Sequence, residues 1–301
     1  MKKRFLLCAL VALISVVGCK KDPVVDDNQP VGAGENAKNV FSVSAGHKVR
    51  IAEGNLQYRA TTDVWRFAQA PWESMGEGNL EASESYDGWI DCFSWGTSGY
   101  EGQMPWESGT SNVALYHDGS ISGTQYDWGV HNAIQSGDYT YPAGTWRTIT
   151  AAEWHYLLFE RSASTVAGVE NARYLLASVA DHPGMILFPD QFEMPQGVVF
   201  TTISTINAEG DYSYNQLTEG EWNKLHAEGC VFLPAAGCKL VGMNRMVSLD
   251  YLGCYWSGSY DVFDNDLGHT AAQVLFNPYS VDMGHAGIQY PRSVRLIRDL
   301  D

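Results

Sequence analysis

Basic residues are scarce in this 301-residue chain, which carries 19 Lys and Arg against 35 Asp and Glu, for a formal charge of −16. An acidic surface repels nucleic acid, and beyond the first four residues no Lys- and Arg-rich stretch could bind phosphates. We therefore predict no nucleic-acid partner. The charge suits a neutral or cationic ligand, or no ligand at all.

The common catalytic motifs are also missing. The sequence has no Gly-x-Ser-x-Gly elbow, no His-Glu-x-x-His and no phosphate-binding loop. Pairs of acidic residues are frequent, but an acidic composition produces such pairs by chance, so they do not indicate a glycosidase. We predict that the protein is not an enzyme.

Cysteine is limited to six residues, none of them in a Cys-x-x-Cys arrangement, which argues against zinc and thioredoxin-type sites. Cys8 and Cys19 belong to the N-terminal segment. The other four can form two disulfides in three possible pairings, or they can remain buried thiols, and the sequence leaves both interpretations open. These four are Cys92, Cys230, Cys238 and Cys254.

The N-terminus has the pattern of a targeting segment. Lys2, Lys3 and Arg4 precede an apolar run, residues 5–17, that is too short to span a bilayer. The residues before Cys19, Val-Val-Gly, resemble a lipobox. We expect residues 1–18 to be a lipoprotein signal peptide and Cys19 to be lipidated, with acyl chains contributing roughly 0.8 kcal/mol per buried methylene. The alternative is an ordinary secretory signal with an incidental cysteine.

Residues 19–38 are polar, punctuated by Pro and Gly, and without periodicity, which is typical of a flexible tether. No second stretch of this composition follows. We therefore predict that residues 39–301 form the folded part of the chain, with a β-rich and loop-rich extension at its N-terminal side.

Residues 41–67 alternate apolar and polar positions, with turns at 53–55 and 61–63, which predicts strands at 41–43, 49–51, 56–58 and 64–67. Residues 70–145 have little periodicity but contain five Trp. Aromatic side chains in long loops usually pin those loops to a core, although one or more could stack on a carbohydrate. These residues are Trp72, Trp89, Trp95, Trp106 and Trp128.

Two short helices are predicted from capping boxes. Thr150 with Glu153, and Thr218 with Glu221, have the Thr-x-x-Glu spacing in which side chain and backbone satisfy each other reciprocally. Trp154, Leu157, Leu158 and Arg161 then form one apolar stripe behind the first cap. Trp222 and Leu225 share a face behind the second cap, and Gly229 is the expected C-terminal cap.

The remaining segments predict further strands. Residues 173–180 and 185–188 flank His182-Pro183-Gly184, which predicts a hairpin with Pro-Gly at its turn. Residues 231–234 are a short buried strand. The last predicted strands are 253–257, 271–276, 279–283 and 293–298.

Several segments together resemble a family of Bacteroidetes-type lipoproteins. They include Gly54–Tyr58, Phe93–Gly99, Asp127–Val130, Trp146–Leu158, Ile186–Asp190, Tyr255–Ser257 and Ser293–Arg298, and Lys20-Lys21-Asp22 resembles the surface-export signal of such proteins. The resemblance implies a C-type-lectin-like domain related to formylglycine-generating enzymes, in which the N- and C-terminal strands meet. The expected fold class is α+β, with loop-rich, mixed antiparallel sheets and two short helices. It also implies an outer-membrane, cell-surface location.

Formylglycine-generating enzymes use a copper-binding cysteine pair. Here Cys230 and Cys254 have no neighbouring base or cation in the sequence that would lower a thiol pKa, and Cys238 has only Lys239 beside it. We therefore favour a binding module for a glycan or protein ligand over an oxidase. A structural or adhesive subunit of a surface assembly is the other alternative.

The ligand face is predicted in the C-terminal segment, where aromatic and hydrogen-bonding side chains alternate between core strands. The candidates are Trp256, Tyr260, Asp261, Asp264, Asp266, Asn277, Tyr279 and His285. A calcium site at Asp264, Asn265 and Asp266 is a further hypothesis, because alternating oxygen donors suit a hard cation although the complete EF-hand loop is missing. No other cofactor is expected.

Overall fold

The computed structural model describes residues 36–107, 120–240, 244–261 and 269–300, with Asp261 described by its backbone alone. This part of the chain is a mixed α+β fold that is rich in sheet and has few, short helices. Cys19, the predicted signal peptide, most of the predicted tether and the calcium candidates Asp264, Asn265 and Asp266 lie outside the described residues.

The strands are β1 (Phe41–Ser44), β2 (His47–Ile51), β3 (Leu56–Arg59), β4 (Val64–Phe67), β5 (Ile134–Ser136), β6 (Tyr139–Tyr141), β7 (Arg147–Thr148), β8 (Tyr174–Val179), β9 (His182–Leu187), β10 (Gln216–Leu217), β11 (Val231–Pro234), β12 (Cys238–Leu240), β13 (Arg245–Val247), β14 (Gly253–Asp261), β15 (Thr270–Asn277), β16 (Ser280–Gly287) and β17 (Leu296–Leu300). The α-helices are α1 (Trp128–His131), α2 (Ala151–His155) and α3 (Glu219–Ala227). Among the described residues, no helix has the length and apolar character needed to cross a bilayer.

Three four-stranded sheets and two smaller ones organise these strands. Their orders are β1-β2-β17-β7, β3-β4-β5-β6 and β10-β8-β9-β11, beside a β14-β15-β16 sheet and a β12-β13 ribbon. The antiparallel pairing of β2 with β17 places Ile51 opposite Ile297, both fully buried. The first and last strands of the described chain therefore lie in one sheet, as expected.

Both capping boxes are confirmed. Thr150 Oγ1 accepts the Glu153 amide at 3.3 Å while Glu153 Oε2 accepts the Thr150 amide at 2.8 Å, and Thr218 and Glu221 repeat this geometry at 3.3 and 2.9 Å. Gly229 follows the C-cap of α3 at φ +89°, a conformation that glycine adopts without strain.

The predicted apolar stripe of the first helix is buried, but the helix changes type. Behind α2, residues Tyr156–Glu160 form a π-helical turn, and the Arg161 amide donates to the Tyr156 carbonyl at 2.9 Å. Arg161 itself is fully buried, and its guanidinium donates to Asp190 at 2.9 Å and to the Phe188 carbonyl at 2.6 Å. Its place in an otherwise apolar stripe is explained by these partners.

The hairpin between β8 and β9 is confirmed, but its predicted turn is wrong. Ala180 and Asp181, at φ +48° and +67°, form the two-residue loop, and Pro183 and Gly184 lie inside β9. Two left-handed residues match the twist of the flanking strands, which a Pro-Gly turn of type II would not. A Cβ on Gly184 would lie 2.4 Å from the Leu233 carbonyl oxygen, so this glycine permits close strand packing.

Aromatic side chains fill the core beneath the loops of residues 70–107. The Trp95 indole N–H donates to the Ser257 carbonyl at 2.8 Å, and that of Trp128 donates to the Thr97 carbonyl at 3.1 Å. Both rings are fully buried, whereas Trp72, Trp89 and Trp106 are partly buried. Trp95 and Trp128 therefore anchor the loops to the core, as predicted for the aromatic residues of this segment.

One helix was missed by the sequence reasoning. The four-residue α1 begins after Asp127, whose carboxylate accepts the Gly129, Gly123 and Thr148 amides and the Thr148 hydroxyl. The shortest of these bonds is 2.7 Å, from the Thr148 amide. The side chain is fully buried, and burial raises its pKa to about 6. Asp127 thereby joins α1 to β7.

Candidate ligand-binding site

Trp256, the first residue of the predicted ligand face, lies in the core. Its ring is fully buried, and its indole N–H donates to the Phe93 carbonyl at 2.8 Å. Because β14 is covered on that side by the aromatic cluster containing Trp95 and Trp128, the ring cannot contact a ligand in this fold. The prediction is wrong for Trp256.

The other candidates are split between the two ends of the β14-β15-β16 sheet. Tyr260 pairs with Ala271 at one end and its hydroxyl contacts His269, while Asn277 and Tyr279 lie at the hairpin turn. Six residue steps along β15 separate Ala271 from Asn277, or about 20 Å at the rise of an extended strand. Tyr260 therefore lies about 20 Å along the sheet from Asn277 and Tyr279, and a ligand face that includes all three stays a prediction.

Several of these candidates have local roles or lie beyond the description. Asn277 accepts the Tyr279 amide at 2.8 Å and donates to the Ser280 hydroxyl at 3.1 Å, so its polar atoms shape the turn. Tyr279 is 74% exposed at that turn, and His285 is exposed on β16. The side chain of Asp261, and all of Asp264 and Asp266, lie outside the described residues.

A concave site lies elsewhere among the described residues. A cleft of about 520 Å³ opens between the end of β2, the loop after β4, the β5-β6 hairpin and α3. Aromatic side chains and charged or amide groups line it, and its volume falls in the range of small-molecule sites. We call it the binding cleft; its walls include Phe67, Tyr141, Trp146 and Trp222, and its polar groups include Arg50, Glu53, Glu219, Asn223 and His226.

Charges of both signs lie in the binding cleft. His226 Nε2 is 3.2 Å from Glu53 Oε2, and this hydrogen bond raises the pKa of the imidazole although burial opposes it. Arg50 donates to the Asn36 carbonyl at 3.0 Å. The wall thus presents neither a purely anionic nor a purely cationic field.

Some buried polar atoms of residues that line the binding cleft have no hydrogen-bond partner within the described part of the chain. Trp146 Nε1 and Glu53 Oε1 are among them, and Trp146 is only 4% exposed. An unpaired polar group in the interior costs about 1–3 kcal/mol. Local costs of this kind are characteristic of sites kept for function rather than stability.

A second cavity, of about 470 Å³, lies on the other side of Trp72. The two cavities share Ala70 and Trp72 in their walls, and the second is bounded by the start of β9 and by residues 234–236 and 249–250. The Trp72 ring stacks on the His182 imidazole with centroids 6.1 Å apart and planes 9° from parallel. Trp72 therefore borders both cavities.

The loop that carries Trp72 is fixed by Glu73. One carboxylate oxygen of Glu73 accepts the Gln69 amide at 2.8 Å, and the other accepts from Arg66 at 3.1 Å and from Gln57 at 3.3 Å. The Glu73 amide also closes a turn onto the Ala70 carbonyl at 3.0 Å. Trp72 is thereby preorganised, which lowers the entropy lost when a ligand binds.

The four remaining cysteines are free, buried thiols. Hydrogen bonding between Cys238 and Cys254 lowers the pKa of Cys238 and raises that of Cys254, and Arg292, distant in sequence from Cys238, also lowers the pKa of Cys238. None of these thiols lines the binding cleft or the second cavity.

No metal-ligand cluster of three or more His, Cys, Asp or Glu side chains occurs in residues 36–107, 120–240, 244–261 and 269–300. The calcium hypothesis concerns residues outside these ranges and stays a prediction.

The binding cleft was missed because its residues are far apart in sequence. Glu53 was interpreted as part of a turn and Trp222 as part of a helix face, and only Trp72 was noted as one of the loop aromatics that could stack on a ligand. Comparison of the chain with models of protein families, with curated proteins and with solved structures finds no match.

Proposed function

We propose that this protein is a non-catalytic, ligand-binding module that is anchored to the outer membrane through a lipid on Cys19 and displayed at the cell surface. The observation that carries the binding proposal is the preformed cleft, with aromatic walls and polar groups converging on one volume of about 520 Å³. The N-terminal segment supports the anchor through its basic start, apolar run and Val-Val-Gly-Cys sequence.

We further propose a C-type-lectin-like fold related to formylglycine-generating enzymes. The motifs in the sequence support it, and so does the pairing of β2 with β17, which brings the two ends of the folded part together. The relation does not extend to their chemistry, because the Cys238–Cys254 pair is at most 5% exposed and lines neither cavity. The ligand is a glycan or a protein.

A second candidate, a subunit of a surface assembly, is favoured by an exposed apolar region. Val199 is 75% exposed, Ile203 42% and Tyr214 51%. The Thr202 hydroxyl donates to the Tyr214 carbonyl at 3.3 Å, which places the two segments side by side. Sedimentation of the full chain tests this candidate, because a concentration-dependent oligomer that Val199→Asp dissociates would support it.

The binding proposal is tested by filling the cleft. Asn223 is exposed on α3 and lines the binding cleft, so Asn223→Trp should block it without disturbing the core. Ala227→Trp is the matched control, since Ala227 is exposed on the same helix and does not line the cleft. Both variants of the full chain are compared with wild type on an array of glycans and peptides.

We expect the array probes bound by wild type to be bound by Ala227→Trp and lost by Asn223→Trp. Thermal unfolding of the three proteins establishes that the variants are folded. Unchanged binding by Asn223→Trp would contradict the assignment of the cleft as the ligand site.

A further inference from the structure

We infer that the ligand is a neutral oligosaccharide chain that runs from the binding cleft across Trp72 into the second cavity. The inference rests on the proposed binding function and specifies the ligand class and the extent of the site. It begins from the geometry of the two cavities, which share Ala70 and Trp72 and hold about 520 and 470 Å³.

The chain-like form follows from the position of Trp72. Trp72 lines both cavities, it is partly buried, and one face of its ring lies against His182 with the ring centroids 6.1 Å apart. The bonds of Glu73 to Gln69, Arg66 and Gln57 hold its loop, so the ring is a fixed platform rather than a mobile flap. A flat, rigid aromatic surface offers large contact area at low entropic cost.

The neutral character follows from the charges along the path. In the binding cleft, Arg50 opposes a cationic group, while Glu53 and Glu219 oppose an anionic one. Asp250 in the second cavity and the formal charge of −16 add to the repulsion of polyanions. A chain without charge avoids both costs.

The saccharide class follows from the mixture of wall groups. Amides and carboxylates such as Gln69, Asn223 and Glu219 line the binding cleft beside aromatic rings. Hydroxyl groups both donate and accept hydrogen bonds, so one polyol can satisfy amide, carboxylate and imidazole partners at once. The C–H faces of a sugar ring supply the apolar contact that Trp72 requires.

The experiment separates the two cavities. Neutral glycans, their uronic-acid counterparts and cationic peptides are printed on one array, and the neutral hit is then titrated from the monosaccharide to the hexasaccharide. Wild type is compared with Asn223→Trp, which fills the binding cleft, with Ser74→Trp, which fills the second cavity, and with Trp72→Ala; Trp72→Phe is the control that keeps a ring. Thermal unfolding confirms that each variant is folded.

We expect neutral glycans to be the bound class and affinity to rise with chain length. Trp72→Ala should weaken the longest chain roughly 10- to 100-fold, with Trp72→Phe near wild type. Ser74→Trp should abolish the gain from chain length while leaving the shortest bound chain unaffected.

Two results would overturn the inference while leaving the proposed function intact. One is binding that Asn223→Trp removes but that neither Ser74→Trp nor Trp72→Ala changes at any length, which would confine the ligand to one cavity. The other is a hit list made of peptides or charged glycans. Failure of the proposed function looks different, since Asn223→Trp would then bind every probe as wild type does, or wild type would bind none.

Discussion

The capping boxes Thr150–Glu153 and Thr218–Glu221 have the same local geometry but different surroundings, so they can be compared within one protein. In each, the Thr hydroxyl donates to the Glu carboxylate at 2.8 Å, and the reciprocal backbone bonds are equal to within 0.1 Å. Only Glu153 has further partners, because Arg147 donates to it at 2.6 and 2.9 Å and binds Asp299 of β17 at 2.7 Å. The perturbation is therefore Glu153→Gln, with Glu221→Gln as the matched control.

The expected magnitudes differ between the two sites. Loss of either Thr cap by substitution with Ala should cost about 1 kcal/mol. Glu153→Gln also removes charge-assisted bonds from Arg147, in a side chain only 13% exposed, and should cost about 2 kcal/mol. Glu221 is partly exposed, and the Thr218 bonds and then Lys224 lower its pKa, but Lys224 forms no ion pair with it among the described residues, so Glu221→Gln should cost less than about 0.5 kcal/mol.

The cost of Glu153→Gln should be larger at neutral pH than in acid. Burial raises the pKa of Glu153, but the bonds from Arg147 and Thr150 outweigh it and hold the pKa below the ordinary value. A carboxylate whose pKa is lowered by folding stabilises the protein above its unfolded pKa, about 4.3 for Glu. That contribution is lost as the pH falls from there through the folded pKa.

The assay is thermal and urea unfolding of the full chain and the variants, followed by circular dichroism, at about pH 7 and below about pH 4. At the higher pH we expect Glu153→Gln to lower Tm by about 4–8 °C and Glu221→Gln by less than about 2 °C. At the lower pH the effect of Glu153→Gln should shrink. Equal losses from the two substitutions would refute the argument that the ion pair with Arg147, rather than the cap, sets the cost.

Three other predictions follow from single residues. Cys19→Ala should release the protein from the membrane fraction or block its processing, and unchanged retention with acyl labelling would exclude lipidation at Cys19. Because the bond to Glu53 raises the pKa of His226, the pair stabilises the fold fully below the unfolded His pKa of about 6.5, and His226→Gln should cost more in urea unfolding at about pH 6 than at about pH 9. An equal cost at the two pH values would show that the Glu53–His226 pair does not stabilise the fold. Asp127→Asn places an amide N–H₂ against backbone N–H groups that now donate to the carboxylate, so it should lower the free energy of unfolding by about 2–4 kcal/mol. An unfolding midpoint close to that of wild type would contradict this prediction.

The elements that sequence reasoning located are those specified locally. The capping boxes depend on residues three apart, and the alternation of 41–67 and of the last strands depends on period-2 burial. Gly229 is predicted as a C-terminal cap because a glycine directly after a helical pattern is enough to indicate where the helix ends. An element that depends on residues a few positions apart can be predicted from the sequence alone.

The errors arise where the deciding interaction is long-range. Pro183 and Gly184 favour a turn locally, but β9 must pair with β8 and β11 together, and the loop moves to Ala180 and Asp181. Trp256 stands among polar neighbours in the sequence, and its burial depends on the Phe93 carbonyl, which lies 163 positions away. Local composition cannot supply either fact.

Long-range contacts also explain why the binding cleft differs from the ligand face predicted in the C-terminal segment. The binding cleft joins three separated segments, around residues 50–72, 136–146 and 219–226, and each contains residues with an adequate local explanation. Trp222 belongs to a helix face and Trp146 to a core cluster, so neither indicates a ligand on its own. What makes them a site is that Glu73 and its partners hold the loop of Trp72 in place between two cavities. The proposed function depends on that hydrogen-bonded loop, and Glu73→Gln should weaken binding because Glu73 both holds the loop and lines the second cavity.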